Sequence, residues 1–243
     1  MVTSDHFSAA ELARLCHAKG IRHAVISPGS RSAPLVIAFN GQEGMRCLQV
    51  IDERSAGFFA LGMAQQLHAP VALICTSGSA VLNYGPSIAE AFYQRIPLLV
   101  ITADRPEEWV DQGEGQAIRQ QGVLALHMKR SVQLPRLTSD GLACWHCGRL
   151  INEAIDATLL PVPGPVHVNV PFAEPLYGKG EPSSSRSTEE AQTVRPSNLI
   201  APVMTEPFIL PDHAGWLIGQ LSACKKVMML AGQGRWSDGL KAQ

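Results

Sequence analysis

Cys47-Leu48-Gln49-Val50-Ile51-Asp52-Glu53-Arg54-Ser55-Ala56-Gly57-Phe58-Phe59-Ala60-Leu61-Gly62-Met63-Ala64 changes character at its three central charges. The residues before Asp52 are short, apolar and β-prone; those after Arg54 are rich in small residues and helical in character. The stretch reads as a buried strand, three charges and a buried helix. In a parallel α/β sheet ligands bind at the carboxyl ends of the strands, so these charges stand at the mouth of a site. Glu53 is therefore the first candidate for chemistry. The same acids also suit an ordinary helix N-terminus, where the macrodipole favours negative charge.

The same transition recurs on either side. Ala24-Val25-Ile26 runs into Ser27-Pro28-Gly29-Ser30-Arg31-Ser32-Ala33-Pro34, whose donors could cradle an anion, with Arg31 gripping a carboxylate through two parallel hydrogen bonds. That turn serves equally well as a tight cap on the helix that follows, 33–39. Val71-Ala72-Leu73-Ile74-Cys75 is a continuous apolar run, as expected where helices cover both sheet faces, and it enters Thr76-Ser77-Gly78-Ser79-Ala80. A helix is expected from Ala80 to about Tyr93. Leu98-Leu99-Val100-Ile101 then gives way to Thr102-Ala103-Asp104-Arg105-Pro106.

Strand, polar loop and helix alternating at this spacing predict an α/β fold with a doubly wound, mostly parallel sheet. Glu53, Arg31, Arg54, Arg105 and the loop hydroxyls would then share one edge. Upstream, Ser8 and Glu11 form a capping box for a first helix that Gly20 can end. Downstream, residues 107–130 make a long polar connection suited to a lid or site wall. A short strand over 131–134, a helix over 141–159 and a last strand over 166–170 follow.

Residues 178–211 read as a linker, because Pro182, Ser183, Ser184, Ser185, Ser187, Pro196, Pro202 and Pro207 leave little to pack. After it, Asp212 can cap a helix, and 226–231 read as a strand. One helix and one strand cannot bury a core, so 212–243 are expected to open a second domain. The expected organisation is thus a domain over 1–177, a linker over 178–211 and an incomplete unit over 212–243.

The chain has 243 residues, 46% hydrophobic and 17% charged, with a formal net charge of −1. Such a balance gives no basic face for nucleic acid, and no apolar run approaches the roughly 20 residues of a membrane span. The N-terminus lacks a signal-peptide pattern, so a cytoplasmic protein with its six cysteines reduced is expected. Cys144 and Cys147 fall inside a helical pattern with no second ligand pair, which argues against both redox and zinc roles. Gly232-Gln233-Gly234 lacks the third glycine of a dinucleotide fingerprint.

Six segments taken in order, 26–32, 52–54, 76–80, 102–106, 116–120 and 171–176, resemble one family. They are similar to the N-terminal part of the 2-succinyl-5-enolpyruvyl-6-hydroxy-3-cyclohexene-1-carboxylate synthases, thiamine-diphosphate enzymes of menaquinone biosynthesis. The resemblance implies a pyrimidine-binding domain and a transferase that decarboxylates 2-oxoglutarate and adds the product to isochorismate. It implies that Glu53 is catalytic and hydrogen-bonds the cofactor's pyrimidine, and that Thr76, Ser77 and Gly78 also bind cofactor. Ser30, Arg31, Arg105 and Gln116 match substrate-contacting positions. Gly115 stands where some relatives carry a side chain facing the site. The resemblance also implies a homodimer or homotetramer in which a second subunit's diphosphate-binding domain completes the site. Magnesium and diphosphate would be held there, since no metal ligand is expected in this chain, which alone would be inactive. Another thiamine-diphosphate carboligase or decarboxylase, or a non-catalytic module binding a small anion or a partner, stays open beside it.

Overall fold

The computed structural model describes residues 3–136, 141–180 (backbone alone at 179 and 180), 196–203, 209–228, 230 and 232. Its elements run β1 (Thr3–Ser4), α1 (Phe7–Ala18), β2 (His23–Ile26), α2 (Ala33–Gly41), β3 (Arg46–Gln49), α3 (Glu53–Leu67) and β4 (Val71–Cys75). They continue through α4 (Ser79–Leu82), α5 (Gly85–Gln94), β5 (Leu98–Asp104), β6 (Arg130–Gln133), α6 (Gly141–Ala157), β7 (Val166–Pro171), β8 (Lys179–Gly180) and α7 (Pro211–Ser222).

Six strands form one parallel sheet, as the alternation predicts, and their order is β3-β2-β4-β5-β7-β6. Every residue of β4 and β5 is buried, because helices cover both faces of the central strands. Alternate side chains feed two cores. Ala24, Ile26, Ile74, Leu99 and Ile101 pack with Leu12, Leu15, Phe39 and Ile151 from α1, α2 and α6. Val25, Leu73 and Val100 pack on the other face with Ala60, Tyr84 and Ile88 from α3, α4–α5 and their junction. All the polar loops thereby leave the sheet on its carboxyl edge.

Several local expectations yield to tertiary contacts. The strand leading to Glu53 is not buried: β3 is an edge strand with Arg46 and Gln49 exposed, and Ile51, beyond its end, is 77% exposed. The helix expected from Ala80 breaks into α4 and α5, because Pro86 lacks an N–H and stands in the first turn of a new helix. The capping box does not form. His6 is the N-cap of α1, and Glu11 is instead buried, accepting two hydrogen bonds from Arg14 (2.9 and 2.7 Å) and one from Ser197 N–H (2.7 Å).

The chain divides into compact units of residues 1–201 and 202–243. Residues 196–200, placed in the linker by composition, are held on the first unit. Arg14 donates to Ser197 O at 2.6 Å, Asn152 donates to Asn198 O at 3.1 Å and accepts from Ile200 N–H at 2.9 Å, and Lys19 donates to Ile200 O at 2.6 Å. The rest of the expected linker falls partly on 181–195 and 204–208, which lie outside the described residues. In the second unit α7 starts at Pro211, with Asp212 in its first turn rather than at the cap. Of the expected strand, residues 226–228 and 230 are described and none is strand-paired. No helix among the described residues is long and apolar enough to cross a membrane.

Candidate active site

Glu53 is the first residue of α3 and half-buried. Its position is set by two ties. The Asp52 carboxylate accepts Ser55 N–H at 2.8 Å, capping the helix, which with its hydrogen bond holds the Asp52 pKa below the usual range. Ser27 Oγ donates to Val50 O at 2.9 Å, binding the end of β2 to the chain just before α3. Tyr84 lies fully buried in the core beneath; its hydroxyl lies near the Ser27 hydroxyl and the Cys75 thiol but makes no hydrogen bond of ordinary geometry among the described residues. Burial, with the nearby Cys75 thiol and Glu53 carboxylate adding, pushes that hydroxyl well above its ordinary pKa.

At the end of β4, Thr76 and Ser77 are buried, and Gly78 takes φ +83°. A Cβ at Gly78 would stand 2.8 Å from Gln116 Cγ and from Gln116 O, so glycine is required twice over. The facing segment is pinned to this loop: Ser77 Oγ donates to Gln116 O (3.1 Å) and Gln116 Nε2 donates to Ser77 O (3.0 Å). Gln116 itself has φ +59°, a left-handed conformation sustained by those two bonds. Its amide is thus turned onto the Ser77 backbone.

Arg31 and Arg105 line one cavity of about 250 Å³, together with Pro106, Trp109, Glu114, Ala173 and Glu174. Arg105 donates to Glu114 Oε1 (3.2 Å), Gly115 O (2.6 Å) and Ser77 Oγ (3.3 Å). Arg31 donates to Phe172 O (3.0 Å) and pairs with Glu174 (3.2 Å). Burial first, and then the Arg105 cation, draw the Arg31 pKa down. Ser30 is exposed on the turn that starts α2. The arginines, Ser77 and Gln116 are thus brought together, while Glu53 lies at the end of β3 and outside the arginine cavity.

Sequence reasoning passed over the polar network behind these groups. Gln120 is buried: its carbonyl accepts Gly78 N–H (3.0 Å), and its NH2 donates to Ala103 O (2.9 Å) and Asn169 Oδ1 (2.7 Å). Asn169 donates to Asp104 Oδ2 and Gln133 Oε1, both at 2.7 Å, and Asp104 Oδ1 accepts Arg105 N–H at 2.7 Å. Desolvation raises the Asp104 pKa, opposed by the Asn169 and Arg105 hydrogen bonds. Gln120 carried one signal, its place in the 116–120 segment. Cys144 and Cys147 lie buried in α6, and among the described residues no cluster of three or more His, Cys, Asp or Glu could hold a metal ion.

The family profile described as the thiamine pyrophosphate enzyme N-terminal TPP binding domain matches residues 8–123. Over that segment the chain is similar to the N-terminal domain of the thiamine pyrophosphate enzymes. Among these enzymes it is similar to the 2-succinyl-5-enolpyruvyl-6-hydroxy-3-cyclohexene-1-carboxylate synthase of Desulfotalea psychrophila, 43% identical over 96% of this chain and 42% of the relative. The synthase of that name from Cytophaga hutchinsonii is 42% identical over 91% of this chain and 38% of the relative. That of Flavobacterium psychrophilum is 52% identical over 70% of this chain and 30% of the relative. The chain therefore spans 30–42% of the length of these relatives. A Rhodococcus jostii RHA1 thiamine diphosphate-dependent 4-hydroxybenzoylformate decarboxylase superposes with a TM-score of 0.70 at 20% identity, covering 90% of this chain and 38% of that one. This likeness shows a shared α/β fold.

The residues present fit such a cofactor. A half-buried carboxyl, Glu53, stands at the carboxyl edge of the sheet, the edge from which the loop over 76–78 also leaves. Beneath, the Tyr84 hydroxyl is buried with no well-formed hydrogen bond among the described residues.

Proposed function

We propose that this chain is the pyrimidine-binding half of a 2-succinyl-5-enolpyruvyl-6-hydroxy-3-cyclohexene-1-carboxylate synthase acting in menaquinone biosynthesis. The observation that carries the reading is the cavity shared by Arg31 and Arg105, on the same sheet edge as Glu53 and Gly78. Two guanidiniums converging on one cavity suit 2-oxoglutarate and isochorismate, which are both dicarboxylates, better than a monocarboxylate such as pyruvate.

When bound, thiamine diphosphate supplies the electron sink for decarboxylation of a 2-oxo acid. Glu53 would hold the cofactor's pyrimidine by a hydrogen bond and share a proton with it. Thr76, Ser77 and Gly78 would help hold the cofactor from their loop. Arg31 and Arg105 bind and orient substrate carboxylates, with Ser30 and Gln116 adding polar contacts. Magnesium and diphosphate are assigned to a diphosphate-binding domain of a second subunit, in a homodimer or homotetramer working in the cytoplasm. The domain division proposed is 1–177 for pyrimidine binding, 178–211 as linker and 212–243 as the start of a middle domain.

The test is turnover of 2-oxoglutarate with isochorismate by the full-length protein. Glu53→Gln is expected to lower it roughly 10²- to 10⁴-fold. Unchanged turnover removes Glu53 from this role. Turnover of pyruvate in preference to 2-oxoglutarate would favour the acetolactate-synthase type of carboligase instead.

A further inference from the structure

The guanidinium of Arg31 is only half used. Its residue is 8% exposed, Nη1 is committed to Phe172 O at 3.0 Å, and Nη2 lies 3.2 Å from Glu174 Oε1. Nε is buried and has no hydrogen-bond partner among the described residues. In a guanidinium the Nε–H and one Nη2–H run parallel, forming the fork that matches the two oxygens of a carboxylate. Glu174 therefore engages one arm of that fork and leaves the other empty.

We propose that Glu174 is a displaceable counterion of Arg31, holding one arm of the fork until a substrate carboxylate takes both. The inference rests on the reading of this cavity as a dicarboxylate site. Three observations support it. The Glu174 side chain is 66% exposed, so its carboxylate stays hydrated and can leave at little cost. Its 3.2 Å separation is longer than the 2.7–2.9 Å typical of a strong charge-assisted bond. And the Phe172 carbonyl keeps Nη1 in place, so the fork holds its aim when Glu174 departs.

A bidentate ligand would also satisfy the buried Nε–H, which a protein otherwise leaves unpaired only at a cost. Glu174 thereby tunes affinity. It neutralises a buried cation that stands beside a second one, Arg105, and it repels an arriving anion from the wall of the same cavity. Arg105 is arranged alike, with Glu114 Oε1 3.2 Å from its Nε, but each of its three guanidinium nitrogens has a partner. Of the two arginines only Arg31 leaves a guanidinium nitrogen, Nε, without a partner among the described residues, so the exchange is assigned to Glu174.

The experiment is a calorimetric or NMR titration of this chain with 2-oxoglutarate, comparing wild type, Glu174→Gln and Arg31→Ala. Glu174→Gln is expected to bind roughly 3-fold more tightly, the scale of one exposed ion pair. Arg31→Ala is expected to bind tenfold or more weakly than wild type. Unchanged or weaker binding by Glu174→Gln, with Arg31→Ala still impaired, overturns the counterion role and leaves the dicarboxylate site standing. Arg31→Ala binding as wild type does would overturn the site itself. Absence of binding by wild type and Glu174→Gln alike would overturn the dicarboxylate site, and the counterion role with it. Because Glu174 is exposed, a far-UV spectrum and a melting curve suffice to confirm that the variant is folded.

Discussion

The Gln120 side-chain carbonyl accepts the backbone N–H of Gly78 at 3.0 Å, joining two segments that are 42 residues apart in sequence. Gly78 has φ +83°, so its N–H points away from the sheet ladder and would be an orphan donor without Gln120. The loop proposed to face the cofactor is thus held in shape by a residue that does not line the arginine cavity.

Gln120→Leu should cost about 1–3 kcal/mol, because it strands the Gly78 N–H and withdraws a donor from Asn169 and Ala103 in a buried network. Urea unfolding checks this: the midpoint should fall with an unchanged slope. An unaltered midpoint would mean that water takes over the bonds of Gln120 at no cost.

His167 is fully buried between Thr102 Oγ1, 2.8 Å from Nε2, and Ser131 Oγ, 3.2 Å from Nδ1. Burial lowers its pKa from 6.5 to about 4. The unfolded chain therefore binds the proton first. The stability that His167 contributes is whole above pH 6.5, declines as the pH falls through the interval down to about 4, and is level below it. The loss over that interval is about 3 kcal/mol by linkage. The measurement is the stability of wild type minus that of His167→Asn from pH 7.5 to 4. In that difference the raised pKa of Asp104, which acts in the opposite sense, is common to both proteins. A difference that stays flat with pH would refute the assignment.

Glu11 gathers two donors from Arg14 and one from the Ser197 backbone. Glu11→Ala should cost about 1–3 kcal/mol, the range for hydrogen bonds to a charged group. It should also speed hydrogen exchange at the Ser197 amide, whose acceptor it removes. Exchange at the wild-type rate would show that residues 196–200 hold their place through Arg14, Asn152 and Lys19 without Glu11.

The elements easiest to read from sequence were those whose burial is symmetrical. Val71–Cys75 is apolar throughout because both its faces are covered, and its bounds emerge as written. Ile51 misled because an apolar residue beside a strand looks buried in a linear reading, whereas β3 is at the sheet edge, a fact of strand order. Ser8 and Glu11 have capping-box spacing, but Arg14 and Ser197 compete for the Glu11 carboxylate and win it. In the site, Arg31 and Arg105 were legible from loop chemistry, Ser77 and Gln116 only from the family resemblance, and the structure brings the four together. Gln120, Asn169 and Glu174 were not singled out, since an amide or an exposed acid carries no local pattern that separates it from ordinary polar surface.

The sequence by itself determined the order of strands and helices, the parallel sheet, and the gathering of its polar loops on one edge. Those follow from periodicity and from the rule that crossovers return each strand in the same direction. Only the tertiary structure decided which side chains meet: Gln120 with Gly78, Glu11 with Ser197, Glu174 with Arg31. The reason is physical. Periodicity reports whether a residue faces a core, a property of its own neighbours in the chain. A hydrogen bond between distant segments depends on strand order, β3-β2-β4-β5-β7-β6, and on which donors burial has left without water.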